Sequence, residues 1–226
     1  MYLDILYRSV YTIGVYSQYL PLRGEDMETK DSILACALAL FSAKGYDAVS
    51  VQELVDMAGI TKPTLYYYFG SKEGLFATVL ADNYTRLDQL LEKAAYYTPH
   101  PSSYFDDVYP VLTSLTSAYF SFAKHNEAFY RMVLANLFQP SSAAVYPLIE
   151  ARHFTQYQLV GQMFANIAAV HTNMRGKETM LAWTFIGMVN SYIGLYYNSD
   201  GPTPYTELDD KDVNVLVRQF MHGIFA

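Results

Sequence analysis

Three glycines divide the first clearly patterned part of the chain into short amphipathic helices. Apolar residues recur at helical spacing before Gly45, between Ser50 and Gly59, and again before Gly70. Each glycine stands where a helix would end, because glycine adopts the left-handed backbone of a helix C-cap without a steric penalty. A hydroxyl residue, Ser50 or Thr61, then stands where the next helix would begin. This pattern predicts three short helices joined by tight turns over residues 30–70.

The rest of the chain is also predicted to be helical. A fourth helix runs from Ser71 towards Tyr97, a fifth begins after Ser103, and the remaining helices are predicted near 126–138, 143–172, 177–198 and 208–224. No useful stretch alternates apolar and polar residues with period two, as a half-buried strand would. The chain is 52% hydrophobic and 16% charged, which is enough apolar material for a core and too little charge for disorder. We therefore predict an all-α fold.

The patterns also predict the domain organisation. Residues 1–26 lack a clear period and are interpreted as a poorly ordered or mis-annotated extension. Residues 27–87 form an N-terminal three-helix domain, which the long fourth helix joins to a larger helical domain over residues 88–226.

Several kinds of site are not indicated by the sequence. One cysteine, Cys36, excludes an intrachain disulfide, and the five histidines show no paired metal-ligand spacing. Phosphate-binding glycine loops and nucleophile elbows are not found. We therefore expect no metal, no cofactor, no catalytic residues and no enzymatic activity.

A charge-free segment over residues 179–199 is long enough to span a membrane. Amphipathic helices typical of globular proteins lie on both sides of it. A helix that is apolar nearly all round can equally be buried in a core or in a subunit interface. We expect this segment to be buried in a subunit interface, and we expect no membrane partner.

The third helix decides what the N-terminal helices do. Two helices joined at Gly59 form a helix-turn-helix unit, for which the alternative is an ordinary helical hairpin in a core. If Leu65 and Phe69 face inward, the helical period turns Pro63 and Tyr67 outward. An ordinary exposed helix would carry Glu and Lys there, whereas hydroxyls, a rigid proline and aromatic rings can reach base edges, thymine methyls and phosphates. The outer face therefore indicates DNA binding.

The stretch from Lys30 to Leu80 resembles the DNA-binding domain of the TetR/AcrR family of bacterial regulators. The run ALALFSAKGYDAVSVQELVDMAGITKPTLYYYFGSKEGLF reads in order like that family's pattern. The matching positions are Ile33, Ala37, Phe41, Lys44, Gly45, Tyr46, Ser50, Val51, Ala58, Gly59, Thr64, Leu65, Tyr66, Tyr68, Phe69, Lys72 and Leu75. Tyr68 departs from the histidine that many members carry.

The resemblance implies which residues contact double-stranded DNA. The third helix would enter the major groove through Lys62, Pro63, Thr64 and Tyr67. Tyr66 and Lys72 would contact the DNA backbone, and Ser50 and Gln52 at the start of helix two would make flanking contacts. The residues so implied are Ser50, Gln52, Thr61, Lys62, Pro63, Thr64, Tyr66, Tyr67 and Lys72. Residues 28–73 carry four lysines against six acidic residues, a net charge of −2. Affinity must then come from few contacts, which favours a dimer presenting two such helices.

The resemblance also implies a homodimer and a small-molecule site in the second domain. The last two helices would pack against their copies through Gly187, Ser191, Gly194, Val213, Val217, Phe220 and Ile224. A mostly apolar ligand pocket would be lined by Phe105, Tyr109, Phe122, Phe129, Tyr130 and Tyr157. The alternative for both sets is a solid hydrophobic core.

Together these features predict a cytoplasmic, nucleoid-associated homodimer that represses transcription. It would bind a palindromic operator and be released by a small-molecule effector. Two alternatives remain open: a ligand-independent DNA-binding regulator, and a helical small-molecule-binding protein whose DNA-binding domain is vestigial.

Overall fold

A computed structural model describes residues 25–100, 103–137, 139–198 and 207–223. Within these residues the regular structure is entirely helical, which confirms the predicted all-α fold. The helices are α1 (Glu25–Lys44), α2 (Val51–Ala58), α3 (Lys62–Phe69), α4 (Lys72–Ala94), α5 (Tyr104–His125), α6 (Glu127–Asn136), α7 (Tyr146–Val170), α8 (Glu178–Asn198) and α9 (Asp210–His222), with a 3₁₀ turn at Thr172–Met174 after α7.

The chain forms two compact units. The first contains α1 to α3, the part of α4 up to Asn83, and the segment Ala128–Tyr146 with most of α6. The second contains the rest of α4 with α5, α7, α8 and α9. The predicted domain boundary at residue 87/88 stays a prediction. Of the predicted extension over 1–26, residues 1–24 lie outside the described residues.

The helices of the first unit begin and end where the capping residues predict. The Glu53 amide donates to Ser50 Oγ at 3.2 Å, and the Ser50 amide donates back to a Glu53 carboxylate oxygen at 2.8 Å, which completes a capping box. Gly59 closes α2 with φ +65°, and Thr61 caps α3. α1 begins at Glu25, five residues before residue 30, where the predicted helical region starts.

The core of the first unit joins the N-terminal helices to the start of α4. The inner side of α1 is formed by three buried side chains, those of Ile33, Ala37 and Phe41. The Phe41 ring meets the Phe76 ring edge-on, with 5.1 Å between ring centroids, and Tyr46 lies 5.0 Å from Phe76. These three aromatic rings pack the end of α1 and the following loop against α4.

In the second unit, α5 packs against both α8 and α9. An aromatic cluster of Phe164, Phe185 and Phe220 holds α7, α8 and α9 together, with ring centroids 5.3 to 6.3 Å apart. No described helix is long and apolar enough to cross a membrane.

A buried carboxylate ties the segment after α4 to the start of α5 and the end of α7. Asp107 accepts hydrogen bonds from the Tyr97 hydroxyl and the His100 amide, both at 2.8 Å, and from His171 Nε2. Burial raises the pKa of Asp107, but these three donors outweigh burial and hold the pKa below its usual value.

Glu53 generates a pH-dependent contribution to stability. A hydrogen bond from Lys44, followed by the bonds from Ser50, lowers the pKa of Glu53 to about 2. Because the pKa of an unfolded glutamate is about 4.3, the contribution is complete above that pH and is lost as the pH falls through about 2. We expect Glu53→Gln to reduce the loss of stability between about pH 5 and pH 2 in urea denaturation.

Glu28→Gln, which changes an exposed glutamate of α1, is the matched control and should keep the wild-type pH dependence. Equal pH dependence in wild type and Glu53→Gln would contradict the prediction.

Candidate nucleic-acid interface

The outer face of α3 is exposed because its opposite face is fully used in packing. Leu65 and Phe69, one turn apart, are 0% and 9% exposed, whereas Tyr67 is 81% and Tyr66 46% exposed. Pro63 is also exposed, in the first turn. The helix carries no acidic residue, so its free surface consists of hydroxyls, rings and one lysine.

The start of α3 combines a cap with a pair of hydroxyl groups. Thr61 Oγ1 accepts a hydrogen bond from the Thr64 amide at 3.4 Å, and the two threonine hydroxyls are 2.9 Å apart. Pro63 lacks an N–H, so it leaves no donor unsatisfied in this first turn. Lys62 is exposed here and has no acidic partner among the described residues.

The predicted flanking residues lie at the exposed start of α2. Ser50 and Gln52 are both solvent-exposed. Ser50 completes the capping box, and Gln52 Nε2 donates to Asp56 Oδ1 at 2.8 Å within the same helix. The Gln52 amide can exchange this exposed intrahelical bond for a phosphate or base contact at little cost.

Tyr68, where the family resemblance departs, lies behind the exposed ring of Tyr67. Tyr68 is half-buried, and the two rings meet edge-on with 5.1 Å between centroids. This contact restricts the direction in which Tyr67 can point.

Lys72 is placed differently from the phosphate contact that the resemblance implies. Its ammonium donates to the carbonyls of Tyr46 at 2.9 Å and Val49 at 2.8 Å, and lies 4.1 Å from the centroid of the Tyr46 ring. Two of its three N–H donors are thus used to hold the loop between α1 and α2 on the start of α4. Lys72 is first a positioning residue of this domain, and its contact with DNA stays a prediction.

A glycine that sequence reasoning missed makes the turn between α3 and α4 possible. The Gly74 amide donates to Ser71 Oγ at 2.9 Å, which confirms Ser71 as the cap of α4. A Cβ atom at Gly74 would lie 2.1 Å from the Phe69 carbonyl oxygen. Only glycine lets the first turn of α4 approach the last residue of α3 so closely. The signal in the sequence was a glycine within a helical first turn, where another residue would favour the helix.

A comparison with known protein families matches the same segment. Residues 33–79 match the sequence profile of the bacterial regulatory proteins of the tetR family. The HTH-type transcriptional repressor BdcR of Escherichia coli is 52% identical over 50 residues, which are 22% of this chain and 25% of BdcR. The HTH-type transcriptional activator FasR of Mycolicibacterium smegmatis is 30% identical over 109 residues, 48% of this chain and 47% of FasR.

Residues 33–79 thus carry the sequence pattern of the tetR family. The aligned segments span a quarter to about half of the length of these curated relatives. The helix-turn-helix described above lies within the segment that matches the family.

Solved structures extend the likeness over most of the chain. FadR, a fatty acid degradation regulator from Bacillus halodurans, has a TM-score of 0.70 at 16% identity over 90% of this chain and 98% of its own. FadR from Bacillus subtilis in complex with stearoyl-CoA has a TM-score of 0.68 at 15% identity over 85% and 98%. AibR in complex with isovaleryl coenzyme A and operator DNA has a TM-score of 0.62 at 18% identity over 84% and 97%. At these identities the likeness shows a shared fold.

The structure divides the predicted dimer-interface residues into two groups. Gly187 and Ser191 are exposed on α8, and Gly194 is half-buried. Val213 and Val217 are buried in the core of the second unit, and their place in a dimer interface stays a prediction. Phe220 packs on Phe164 and Phe185, which uses the α9 stripe within the chain, and Ile224 lies outside the described residues. An apolar stripe on a helix is suited both to a core and to a dimer interface, and only the packing of the helices distinguishes these two roles.

The predicted pocket residues occupy several places. Phe129 and Tyr130 are fully buried in α6, which belongs to the first unit. In the second unit, Phe105 and Tyr109 stack near the surface at 4.4 Å and Phe122 is buried.

Tyr157 lines an open groove of about 520 Å³ between α7 and α8. The remaining lining residues of this groove are Phe154, Gln158, Gly161, Thr179 and Trp183.

The Gly74 contact predicts a large effect from a single methyl group. We expect Gly74→Ala to destabilise the domain by about 1–3 kcal/mol or more, because its Cβ atom would overlap the Phe69 carbonyl and force backbone movement. Urea denaturation monitored by circular dichroism measures the change.

Gly161→Ala is the matched control, since an added Cβ at this helical glycine meets nothing within 4 Å. It should be neutral or stabilising by up to about 1 kcal/mol, because alanine favours a helix over glycine. Equal effects of the two substitutions would contradict the assigned role of Gly74.

Proposed function

We propose that this protein is a homodimeric transcriptional repressor that binds a palindromic operator and is released by a small-molecule effector. The observation that carries the proposal is the outer face of α3. Tyr67 and Tyr66 are exposed on this face, while Leu65 and Phe69 are buried on the opposite face. A helix held by two core residues and free of acidic side chains is suited to enter a major groove. Such a protein acts at the nucleoid in the bacterial cytoplasm.

A repressor is favoured over a vestigial DNA-binding domain by the state of the binding surface. Three features position α2 and α3: the capping box of Ser50, the hydrogen bonds of Lys72 to the loop before α2, and the close approach of Gly74 to Phe69. BdcR, the relative with 52% identity in this segment, is a repressor. A dimer bound across a promoter would exclude polymerase by occupying the same DNA.

Two recognition helices are needed because one offers few cations. Lys44 is paired with Glu53 at 2.6 Å and Lys72 is held by carbonyl oxygens, which leaves Lys62 as the exposed lysine of α3. A two-fold dimer places recognition helices about 34–36 Å apart, one turn of the major groove. A dimer doubles the small number of contacts that one recognition helix makes with DNA, which raises the affinity for the operator at physiological salt.

The exposed stripe on α8 is the surface that we propose for dimerisation. Trp183, Gly187, Ser191 and Leu195 follow each other at four-residue spacing, and all four are exposed. Small residues between large apolar ones let two helices approach closely while the larger side chains interdigitate. This assignment replaces Val213 and Val217 by residues that a partner can reach.

Effector release can act through α4, which is one continuous helix from Lys72 to Ala94 and contributes residues to both units. A ligand bound beside its C-terminal half would change the direction of the helix and thus the spacing of two recognition helices. A coupling of about 1–3 kcal/mol shifts operator affinity roughly 5- to 150-fold. The ligand must favour the state that does not bind DNA, since equal binding to both states shifts nothing. The AibR structure with isovaleryl coenzyme A and operator DNA is a neighbour of the same fold in which both kinds of partner are bound.

Tyr67→Ala tests the DNA-binding face directly. We expect wild type to prefer DNA from the region upstream of its own gene over random DNA. We expect the variant to lose about 1–3 kcal/mol of this discrimination at one base step, because the ring no longer meets a base edge or thymine methyl. Fluorescence anisotropy with both DNAs at several salt concentrations measures the preference.

The control is Tyr96→Ala, which removes a tyrosine that is 79% exposed outside the helix-turn-helix; its operator binding should equal that of wild type. If wild type shows no preference for its upstream region, the regulator proposal is wrong.

Gly187→Arg tests the dimer surface. An added Cβ at Gly187 meets nothing within 4 Å, so arginine fits the folded chain. In a dimer it would bury an unpaired charge, which costs several kcal/mol. We expect light scattering to show a dimer for wild type and a monomer for the variant, while Ser114→Arg, which adds the same charge at an exposed position of α5, should remain dimeric. A wild type that is monomeric at micromolar concentration would remove this interface.

A further inference from the structure

Two neighbouring helices of the second unit, α7 and α8, expose surfaces that carry no charged side chain. From residue 151 to the end of α7, and from residue 179 to the end of α8, every exposed residue is uncharged. Exposed apolar surface that is depleted of charge is typical of the centre of a protein–protein interface. Large apolar side chains on these surfaces are 61% to 71% exposed: Phe154, Met180, Trp183 and Leu195.

The open groove joins these two surfaces. Phe154 and Gln158 of α7 line it together with Thr179 and Trp183 of α8, and all four residues are exposed. The Tyr157 ring meets the Trp183 ring edge-on, with 6.1 Å between centroids, which holds α7 beside the first part of α8. The exposed sides of α7 and α8 therefore border the same groove, and we call them together the α7–α8 face.

The exposed stripe on α8 is by itself too narrow for a stable dimer. A helix of 21 residues is about 30 Å long and about 10 Å wide, so one side of α8 offers roughly 300 Å² of flat area. A stable interface covers about 800 Å² on each partner. A neighbouring helix must therefore contribute, and both α7 and α9 belong to the same unit as α8.

The exposed residues of α9 make it the less suitable neighbour. Its outer side includes Asp210, Lys211 and Arg218, and charged groups lose favourable hydration when an interface covers them. Arg218 also lies over the Phe105 ring, 5.9 Å from its centroid, so this side of α9 is used within the chain. Covering the exposed side of α7 removes no charged group from water, so α7 is the helix that extends the interface.

The order of side-chain sizes along α8 indicates which partner covers this face. Trp183, Gly187, Ser191 and Leu195 form a large–small–small–large series that is the same in both directions. A two-fold dimer apposes the same surface of both copies, so each contact between two residues occurs twice with the copies exchanged. Two antiparallel copies of α8, centred between Gly187 and Ser191, match small residues with small and large with large. This self-complementarity favours a second copy of this chain over an unrelated protein.

The open groove removes a steric conflict in this pairing. Small residues at the centre let the two helices approach closely, and Trp183 would then meet Leu195 of the partner subunit. Two large side chains directly opposite each other would hold the helices apart. The groove beside Trp183 has a volume of about 520 Å³, which is room for the leucine side chain and the last helical turn that carries it.

We propose that two copies of this chain pair through the α7–α8 face, with α8 antiparallel to its copy and Leu195 of each subunit bound in the open groove of the other. Each groove is then incomplete without the partner subunit, and α9 lies outside the interface. The inference rests on the proposed function, because it specifies the dimer that presents two recognition helices to the operator.

A pair of cysteines tests the antiparallel pairing. In a Cys36→Ser background, which removes the single native cysteine, Trp183→Cys and Leu195→Cys are combined in one full-length chain. The two substituted positions are about 18 Å apart along one helix, so they cannot form a disulfide within a chain. We expect oxidation in a glutathione buffer to convert most of the protein into covalent dimers, because residue 183 of each subunit faces residue 195 of the other.

The two single substitutions in the same background are the matched controls. In the antiparallel arrangement, residue 183 lies about 18 Å from its own copy, and the same holds for residue 195, so neither single variant should form covalent dimers. Covalent dimers of a single variant at the level of the double variant would indicate parallel helices. That result, or a double variant that does not cross-link, would overturn the proposal.

Two glutamine-to-arginine substitutions test which neighbour of α8 belongs to the interface. Gln158→Arg adds a charge on α7 in the lining of the open groove, whereas Gln219→Arg adds the same charge on the exposed side of α9. We expect Gln158→Arg to raise the dimer dissociation constant at least about tenfold in sedimentation velocity, because an unpaired charge in an interface is costly. Gln219→Arg should leave this constant unchanged.

Either of two other results with these arginine variants would overturn the proposal. An effect of Gln219→Arg as large as that of Gln158→Arg would place α9 in the interface. An unchanged dissociation constant for Gln158→Arg would show that the partner subunit does not occupy the groove, which would then be open to a small molecule. Both positions are exposed in the single chain, so both variants should keep the wild-type circular dichroism spectrum.

Operator binding in the same samples separates this inference from the proposed function. If wild type is a dimer that prefers its upstream DNA but the cysteine pair does not cross-link, the pairing through the α7–α8 face is wrong and the regulator proposal stands. If the cysteine pair cross-links as expected but wild type shows no DNA preference, the pairing is confirmed and the regulator proposal is wrong.

Discussion

The burial of Leu65 and Phe69 on one side of an eight-residue helix fixes what α3 presents on its other side. With both residues in the core, rotation of α3 about its axis would expose apolar surface, which costs free energy in proportion to the area. Tyr67 and Pro63 therefore point outward as a consequence of packing. The caps at Thr61 and Ser71 and the close approach at Gly74 then set where the helix begins, ends and turns. The proposed recognition face therefore depends on the rigid packing, caps and turns that hold α3 in place.

Lys72 shows how one charged residue can serve such a support. Its ammonium closes the loop between α1 and α2 by binding two carbonyl oxygens and the face of the Tyr46 ring. The loop leads into the start of α2, where Ser50 and Gln52 are exposed. Because the lysine is used internally, the domain relies on few free cations and on hydroxyl, amide and aromatic groups. This agrees with our proposal of an acidic chain that binds DNA at a restricted surface through a dimer.

The second unit follows a different principle, in which tyrosines and buried polar groups are placed inside an otherwise apolar helical packing. Some of them complete structural connections: Asp107 accepts three hydrogen bonds, and Tyr197 donates to a carbonyl of α5.

The amino-acid sequence by itself determined the helical class, the caps and glycines of the first unit, and the outward direction of α3. These are local properties: a capping hydroxyl, a left-handed glycine and a 3.6-residue period act over a few residues, so they can be read without the fold. Through the resemblance and the absence of acidic residues on α3, it also predicted a DNA-binding face within residues 50–72.

Tertiary structure alone decided which apolar stripe is core and which is surface. Val213 and Val217 on α9 lie in the core, and the residues of the α8 stripe lie on the surface. Both stripes follow the helical period, so periodicity does not distinguish a core stripe from a surface stripe. The role of Lys72 and the need for glycine at residue 74 depend on backbone atoms of other segments, from Tyr46 and Val49 to Phe69. Such contacts are set by how helices pack, and no local pattern encodes them.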